Sequence, residues 1–296
     1  EGLKTEFIVQ KSNWTEYVHR LEVAGGQIIW VGTDEGTTEE ELDEAFNPER
    51  TAGYFFTVVS STGSLPRGDA LPLETVIRIA HDNDVPVIVD ASLTLPPKKN
   101  LREFISQGAD LVAFSGGKFI PGPSNSGMLA GKRALIRLAS LQATKDGIGR
   151  GSKISGGAIL GLVTALNVYL RQDEEALFDI LESKSKWMAE QLNTIPGVEA
   201  GVVTYKYVFF TVTIEEEDRK STIPQCYVQI DNEVFGLTER ELSKKLGDGN
   251  PSISAPYHDR HGNLMINPVG LREGDESIIL QRIREILNQA RSARAG

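Results

Sequence analysis

The stretch FSGGKFIPGPSNSG, residues 114–127, sets one lysine among four glycines and two prolines, directly behind the apolar run LVAF. A short apolar run bounded by turn residues reads as a buried strand. Open parallel sheets bind their ligands outside the carboxyl ends of such strands. Lys118 therefore stands where chemistry is expected. Upstream, KKNLREFISQGAD reads as a helix, and before it PVIVDAS reads as a strand ending on Asp90. One helix between two strands makes them neighbours or near-neighbours in a parallel sheet, with Asp90 and Lys118 over one crevice.

The same alternation runs back to Glu6. EFIVQ, QIIWVG and GYFFTVV read as strands and EEELDEAF as a short acidic helix. TEYVHRLEVAG has helical spacing, with Tyr17, Val18, Leu21 and Val23 on its apolar side, and LPLETVIRIAHDNDV is a helix with proline near its start. SSTGSLPRGD is a turn-rich loop, and SGMLAG is one more strand. Strands without clean polar alternation, separated by helices, predict an α/β fold: a doubly wound, mostly parallel sheet. The texture changes at Ile154. SGGAILGLVTALNVYL is an almost wholly apolar helix that should be buried, and EEALFDILESKSKWMAEQLNTI is a long amphipathic one. Short strands (VFFTVTIE, CYVQI, LMINP), the helix LTERELSKKL and a terminal helix follow. The expected organisation is a large domain over 1–153, a buried connecting helix over 154–172, and a smaller α+β domain over 173–296.

Thirty-one basic against 41 acidic residues give a net charge of −10, which disfavours general nucleic-acid binding because phosphate neutralisation supplies most of that affinity. With Cys226 as the one cysteine, neither an internal disulfide nor a cysteine zinc site is possible. His258 and His261 read as part of a polar turn, and no metal site is expected. No apolar run approaches membrane-spanning length, and no leader peptide is visible. A cytoplasmic location is expected.

A lysine and a carboxylate at one strand-end crevice suit pyridoxal 5′-phosphate. The lysine can condense with the aldehyde, and the carboxylate can hold a proton on the pyridine nitrogen, which makes the ring an electron sink. Partial burial lowers a lysine's pKa and so activates it. The glycines would let backbone approach the cofactor, and Ser115 can donate to its phosphate. Each residue also has a plainer reading, a turn aspartate and a solvated loop lysine. A nicotinamide fold is disfavoured, because no G-x-G-x-x-G follows an early strand.

VPVIVDAS followed by GADLVAFSGGKFIPGPSNSGMLAGKRALI resembles the selenocysteine synthase branch of fold-type I pyridoxal-phosphate enzymes. That branch holds the L-seryl-tRNA(Sec) selenium transferases and a group typified by D-glucosaminate-6-phosphate ammonia-lyase. GIGRGSKISGGAILGLVTAL, NPSIS, LMINPVGLREGDESII and EFIVQKSNWTEYVHRLEVAGGQIIWVG extend the likeness over nearly the whole chain. The resemblance implies Lys118 as the covalent anchor and catalytic base and Asp90 as the pyridinium partner. Ser92 and Ser115 join the cofactor-binding set, and Trp14 lies over the ring. Arg150 and Lys153, in the Gly-Arg-x-x-Lys segment, would bind an anionic substrate or the cofactor phosphate. A small amino-acid substrate and a homodimer or larger assembly are also implied.

Two departures sharpen this. The selenium transferases carry an acidic residue just before the anchoring lysine, where this chain has Gly117, so SGGK looks more like the lyase group. Val269 stands where the family often has arginine. Family members also carry, ahead of the strand that opens this chain, a glycine-rich turn whose backbone N–H groups cradle the cofactor phosphate. The expected activity is a pyridoxal-phosphate lyase acting on a small amino acid or a phosphorylated amino-sugar acid. The alternatives are a seryl-tRNA selenium transferase, with tRNA as partner, and a non-catalytic truncated chain that keeps only the fold.

Overall fold

The chain divides into two compact units: Glu1–Gln172 with Tyr207–Val212, and Asp173–Lys206 with Thr213–Gly296. The structure, a computed structural model, describes residues 2–58, 70–144, 146–207, 210–213, 223–258 and 262–295. The loop SSTGSLPRGD, His261 and the two ends of the expected strand VFFTVTIE lie outside the described residues.

The first unit alternates β1 (Glu6–Gln10), α1 (Arg20–Val23), β2 (Gln27–Val31), α2 (Glu39–Glu44), β3 (Thr51–Thr57), α3 (Leu73–Asp82), β4 (Val87–Asp90), α4 (Asn100–Ser106) and β5 (Leu111–Ser115). β6 (Gly127–Gly131), α5 (Arg133–Leu141) and α6 (Gly156–Arg171) follow. The strand order is β2-β1-β3-β4-β5-β6, with every pair parallel except β5 and β6. Ile8 and Val9 are consecutive, so they point to opposite faces, and both are fully buried. Apolar residues on both faces are what a sheet covered by helices on each side requires. α3 contributes Val76, Ile77 and Ala80 to this core, and α6 contributes Leu162, Ala165 and Tyr169.

Two expectations change. TEYVHRLEVAG is α-helical only over Arg20–Val23, and the turns ahead of it close three residues apart, as in Val18 N–H to Thr15 O and Arg20 N–H to Tyr17 O. No continuous apolar helix face forms, so Val18 is buried while Val23 is 81% exposed. The apolar helix α6 is also not wholly buried. It lays one face on the sheet and leaves Ile159, Leu160, Val163 and Val168 exposed on the rest of its surface.

The rest of the chain holds α7 (Glu174–Leu192), β7 (Val198–Tyr207), β8 (Phe210–Thr213), β9 (Ile223–Ile230), α8 (Asn232–Phe235), α9 (Glu239–Gly247), β10 (Tyr257–His258), β11 (Asn263–Ile266) and α10 (Asp275–Ala295), and of these Tyr207 and residues 210–212 are grouped with the first unit. Its sheet order is β10-β11-β9-β7-β8. Met188 and Leu192 of α7, Leu242 and Leu246 of α9, and Ile283 and Leu287 of α10 pack with Cys226 and Val228 of β9. Burial pushes the Cys226 thiol up to about 12. A capping box between Thr38 and Glu41 starts α2, and another between Thr238 and Glu241 starts α9.

Candidate active site

The loop around Lys118 is held by backbone contacts. The β5–β6 ladder ends on the Ser115–Gly127 pair, Gly116 N–H then donates to Ser126 O at 2.9 Å, and Gly122 N–H donates to Gly116 O at 2.8 Å. A Cβ on Gly116 would lie 2.3 Å from Ser126 Oγ and 2.6 Å from Leu162 Cδ1 of α6. A Cβ on Gly117 would lie 2.3 Å from Ser124 Cα, and one on Gly122 would lie 2.6 Å from Gly116 O. The glycines thus serve close approach of the chain to itself and to α6, not only to a ligand. Beyond the lysine, Ile120 is buried and the Phe119 ring meets Tyr169 of α6 edge-on, with centroids 5.6 Å apart. Lys118 is exposed, between glycines that cannot grow and apolar residues packed in the core.

β4 and β5 are adjacent, with Asp90 in register with Thr57 on one side and Ala113 on the other. The Asp90 carboxylate accepts Ser92 N–H at 2.9 Å, which fixes its orientation at the strand end. Although the Lys118 side chain is exposed overall, desolvation of its ammonium lowers its pKa below the ordinary lysine value. The Asp90 carboxylate opposes that shift, and the Arg20 guanidinium adds to it. Lys118, Asp90 and Arg20 therefore share one electrostatic neighbourhood. Ser92 and Ser115 are half-buried at the same strand ends.

Arg20 was not singled out in the sequence. It opens α1, behind a loop that follows β1 and is clasped to the sheet by two amides. Asn13 Nδ2 donates to Thr57 O at 2.6 Å, and Thr57 N–H donates back to Asn13 Oδ1 at 2.8 Å. Gln10 makes the same exchange with the backbone of Leu71, at 3.2 and 2.7 Å. The loop beyond carries Trp14 and Tyr17, both partly exposed, with the Arg20 guanidinium 4.9 Å from the centre of the Tyr17 ring. Ser12 Oγ and Thr57 Oγ1 are buried and have no hydrogen-bond partner among the described residues.

Arg150 and Lys153 sit on and just after the 3-10 turn Ile148–Ser152, ahead of α6, and both are exposed. No hydrogen bond or ion pair joins either to Asp90 or Lys118 among the described residues.

The donor set fits pyridoxal phosphate. It offers a partly desolvated amine, a backbone-held carboxylate on the adjacent strand's end, and hydroxyls at neighbouring strand ends.

A family model of L-seryl-tRNA selenium transferase matches residues 19–200. The chain is similar to a D-glucosaminate-6-phosphate ammonia lyase of Salmonella typhimurium, 27% identical over 98% of this chain and 72% of the relative. It is also similar to a 5′-C-glycyluridine monooxygenase-decarboxylase of Streptomyces, 28% identical over 95% of this chain and 67% of the relative. An L-seryl-tRNA(Sec) selenium transferase of Aquifex aeolicus is 26% identical over 90% of this chain, which spans 60% of that relative's length. A solved D-glucosaminate-6-phosphate ammonia-lyase superposes with a TM-score of 0.81 at 26% identity, covering 98% of this chain and 72% of that one. A serine palmitoyltransferase from S. paucimobilis solved with bound pyridoxal phosphate shares the fold, at a TM-score of 0.55 and 14% identity over 98% of this chain and 67% of that one. The α/β architecture is that of the fold-type I pyridoxal-phosphate enzymes, as the resemblance implied. The chain belongs to the L-seryl-tRNA selenium transferase family.

Proposed function

We propose that this chain is a pyridoxal-phosphate-dependent lyase acting on a small amino acid or a phosphorylated amino-sugar acid. The observation that carries it is the Asp90–Lys118 pair on adjacent strand ends, in a chain similar over nearly its full length to an ammonia lyase. Pyridoxal phosphate supplies an aldehyde and an electron-withdrawing ring. Lys118 would hold it, and the free Lys118 Nζ would take the proton from the substrate's α-carbon. Desolvation suits it to that role, because it raises the neutral fraction at a given pH. Asp90 holds the proton on the pyridine nitrogen, and Ser92 N–H keeps that carboxylate in place. Ser92 and Ser115 donate to the cofactor, Trp14 covers its ring, and Arg150 and Lys153 serve an anion where two subunits meet. The net charge of −10 and Gly117 favour this reading over transfer onto a tRNA.

A homodimer is part of the proposal. The exposed apolar residues Ile159, Leu160, Val163 and Val168 on α6 support it, since apolar patches of this kind mark interfaces. A single monomeric species in sedimentation at micromolar concentration would count against it. Among the described residues, no helix is long and apolar enough to cross a membrane, and a cytoplasmic enzyme is proposed.

The test is to mix the protein with pyridoxal phosphate, reduce it with borohydride and map the adduct by mass spectrometry. The expected adduct is on Lys118, and Lys118→Ala loses both the adduct and turnover, the latter by at least about 10²-fold. Turnover retained in Lys118→Ala, or an adduct elsewhere only, would overturn the assignment.

A further inference from the structure

Thr57 ends β3 with a buried hydroxyl that the fold does not use. The residue is 4% exposed, and its Oγ1 has no hydrogen-bond partner among the described residues. A buried polar group left unpaired is costly, so it calls for a reason. The main chain of Thr57 is fastened on both sides. β1 has already ended at Gln10, and the Asn13 side chain takes the place of its next rung. Asn13 Oδ1 accepts Thr57 N–H at 2.8 Å, and Asn13 Nδ2 donates to Thr57 O at 2.6 Å. On the other side, Val58 N–H donates to Asp90 O at 3.1 Å. Thr57 is the register partner of Asp90, and Asp90 is the register partner of Ala113. Register partners on neighbouring strands point to one face of the sheet, about 4.8 Å apart. The Asp90 carboxylate thus has a hydroxyl on one flank and a methyl group on the other. Its Oδ1 accepts Ser92 N–H at 2.9 Å.

Resting on the pyridoxal-phosphate reading above, we propose that Thr57 is a positioning residue whose Oγ1–H donates to the Asp90 carboxylate when that group faces the protonated pyridine nitrogen. Rotation about the Thr57 Cα–Cβ bond is the only movement this needs. A carboxylate offers about four lone-pair sites, so it can accept from Ser92 N–H, Thr57 O–H and the ring N–H together. A donor to the ionised carboxylate favours its charged form, and a charged Asp90 holds the ring proton that makes the ring an electron sink. The other titratable groups around β4 are accounted for. Lys118, behind β5, is the one whose charge Asp90 opposes. On α3, packed against β4, His81 is engaged by Asp110 and Arg78 by Glu39, while Glu74 and Asp82 are exposed. Tyr54 lies three residues before Thr57 on β3 and so points to the opposite face.

The test reads the ring proton directly. The chain is loaded with pyridoxal phosphate carrying nitrogen-15 in its ring, and the nitrogen chemical shift is followed from acid to alkaline pH. Thr57→Val keeps the side-chain shape and removes the hydroxyl. It is expected to hold the ring proton about tenfold more weakly, a shift of about one pH unit. Its urea midpoint should stay level or rise, because an unpaired buried hydroxyl has been removed. Thr57→Ser is expected to regain the parent titration. In an Asp90→Asn background, Thr57→Val should add no further shift, since the hydroxyl acts through the carboxylate. Should Thr57→Val fail to fold, Thr57→Ala and Thr57→Ser are compared in the same way, and equal titrations in that pair overturn the proposal. An unchanged titration in Thr57→Val, or a shift that persists in full in the Asp90→Asn background, also overturns it. An unaltered chain that forms no adduct at Lys118 sinks the cofactor reading and this proposal with it. A parent adduct with a protonated ring that ignores Thr57 sinks this proposal alone.

Discussion

The two edges of the six-stranded sheet treat charge in opposite ways. At the amino ends, Glu6 pairs with Arg50, and the buried Asp110 carboxylate gathers His81, Lys132 and Val87 N–H. At the carboxyl ends, the Asp90 carboxylate and the Arg20 guanidinium act on Lys118 in opposite directions, yet no ion pair joins the three among the described residues. The amino edge satisfies its charges internally and so contributes to stability. The carboxyl edge leaves them open, as a ligand site at the ends of parallel strands requires. The same fold thus separates stability from chemistry across the length of a strand.

The comparison is broken most severely by a change at the open edge. Asp90→Asn should cut turnover by on the order of 10²-fold while leaving the unfolding midpoint nearly unchanged. A large loss of stability in this variant would mean that Asp90 belongs with the structural charges. At the closed edge the pattern reverses. Asp110→Asn should cost about 2 kcal/mol in urea unfolding at neutral pH, because hydrogen bonds to a charged partner are lost, and the Lys118 adduct should persist. Burial alone would raise the Asp110 carboxyl. The hydrogen bonds from Lys132, Val87 N–H and His81 outweigh burial and hold it below the usual carboxylate range. Its stabilisation is therefore complete above the unfolded value near ~4 and is lost as pH falls through the folded value. The variant should show a flatter loss of stability below about pH 4 than the parent chain. A cost of similar size, without any change of charge, is expected of Gly117→Ala. Its new methyl meets the backbone of Ser124 and should cost about 1–3 kcal/mol as overpacking, with a weakened adduct at Lys118. An unchanged adduct and melting temperature would show that the loop yields more easily than its contacts suggest.

The Asp90–Lys118 pairing was legible in the sequence because parallel strands joined by one helix have little freedom in where their ends fall. The parallel sheet itself was legible from the apolar strands that bracket those residues. Arg20 was not legible. Tyr17, Val18, Leu21 and Val23 repeat with helical spacing, but turns closing three residues apart replaced most of that helix, and Arg20 stacks on Tyr17. β7 also went unread. Gly201 interrupts its apolar pattern, and the reason lies across the sheet, where the Tyr227 ring occupies the space a Cβ would take, 2.7 Å away. What covers the outer face of α6 was not legible, because a run of apolar residues reveals that a helix wants cover, not which neighbour supplies it. The glycines around Lys118 were recognised, but their reason is visible only with Ser124, Ser126 and Leu162 in place.

α6 touches the lysine loop with one face and is open on the other. Leu162 abuts Gly116, and Gly161 lies so close to Pro123 that an added Cβ would be 2.8 Å from its ring. Only the diameter of a helix, about 10 Å, separates that contact from whatever covers Leu160. If a second subunit seats there and shifts the helix, the affinity of the lysine site changes with it. By thermodynamic reciprocity, filling the lysine site then changes subunit affinity by the same factor. In such a molecule, concentration acts as an effector: dilution weakens cofactor retention, and cofactor tightens assembly, with no regulatory ligand involved.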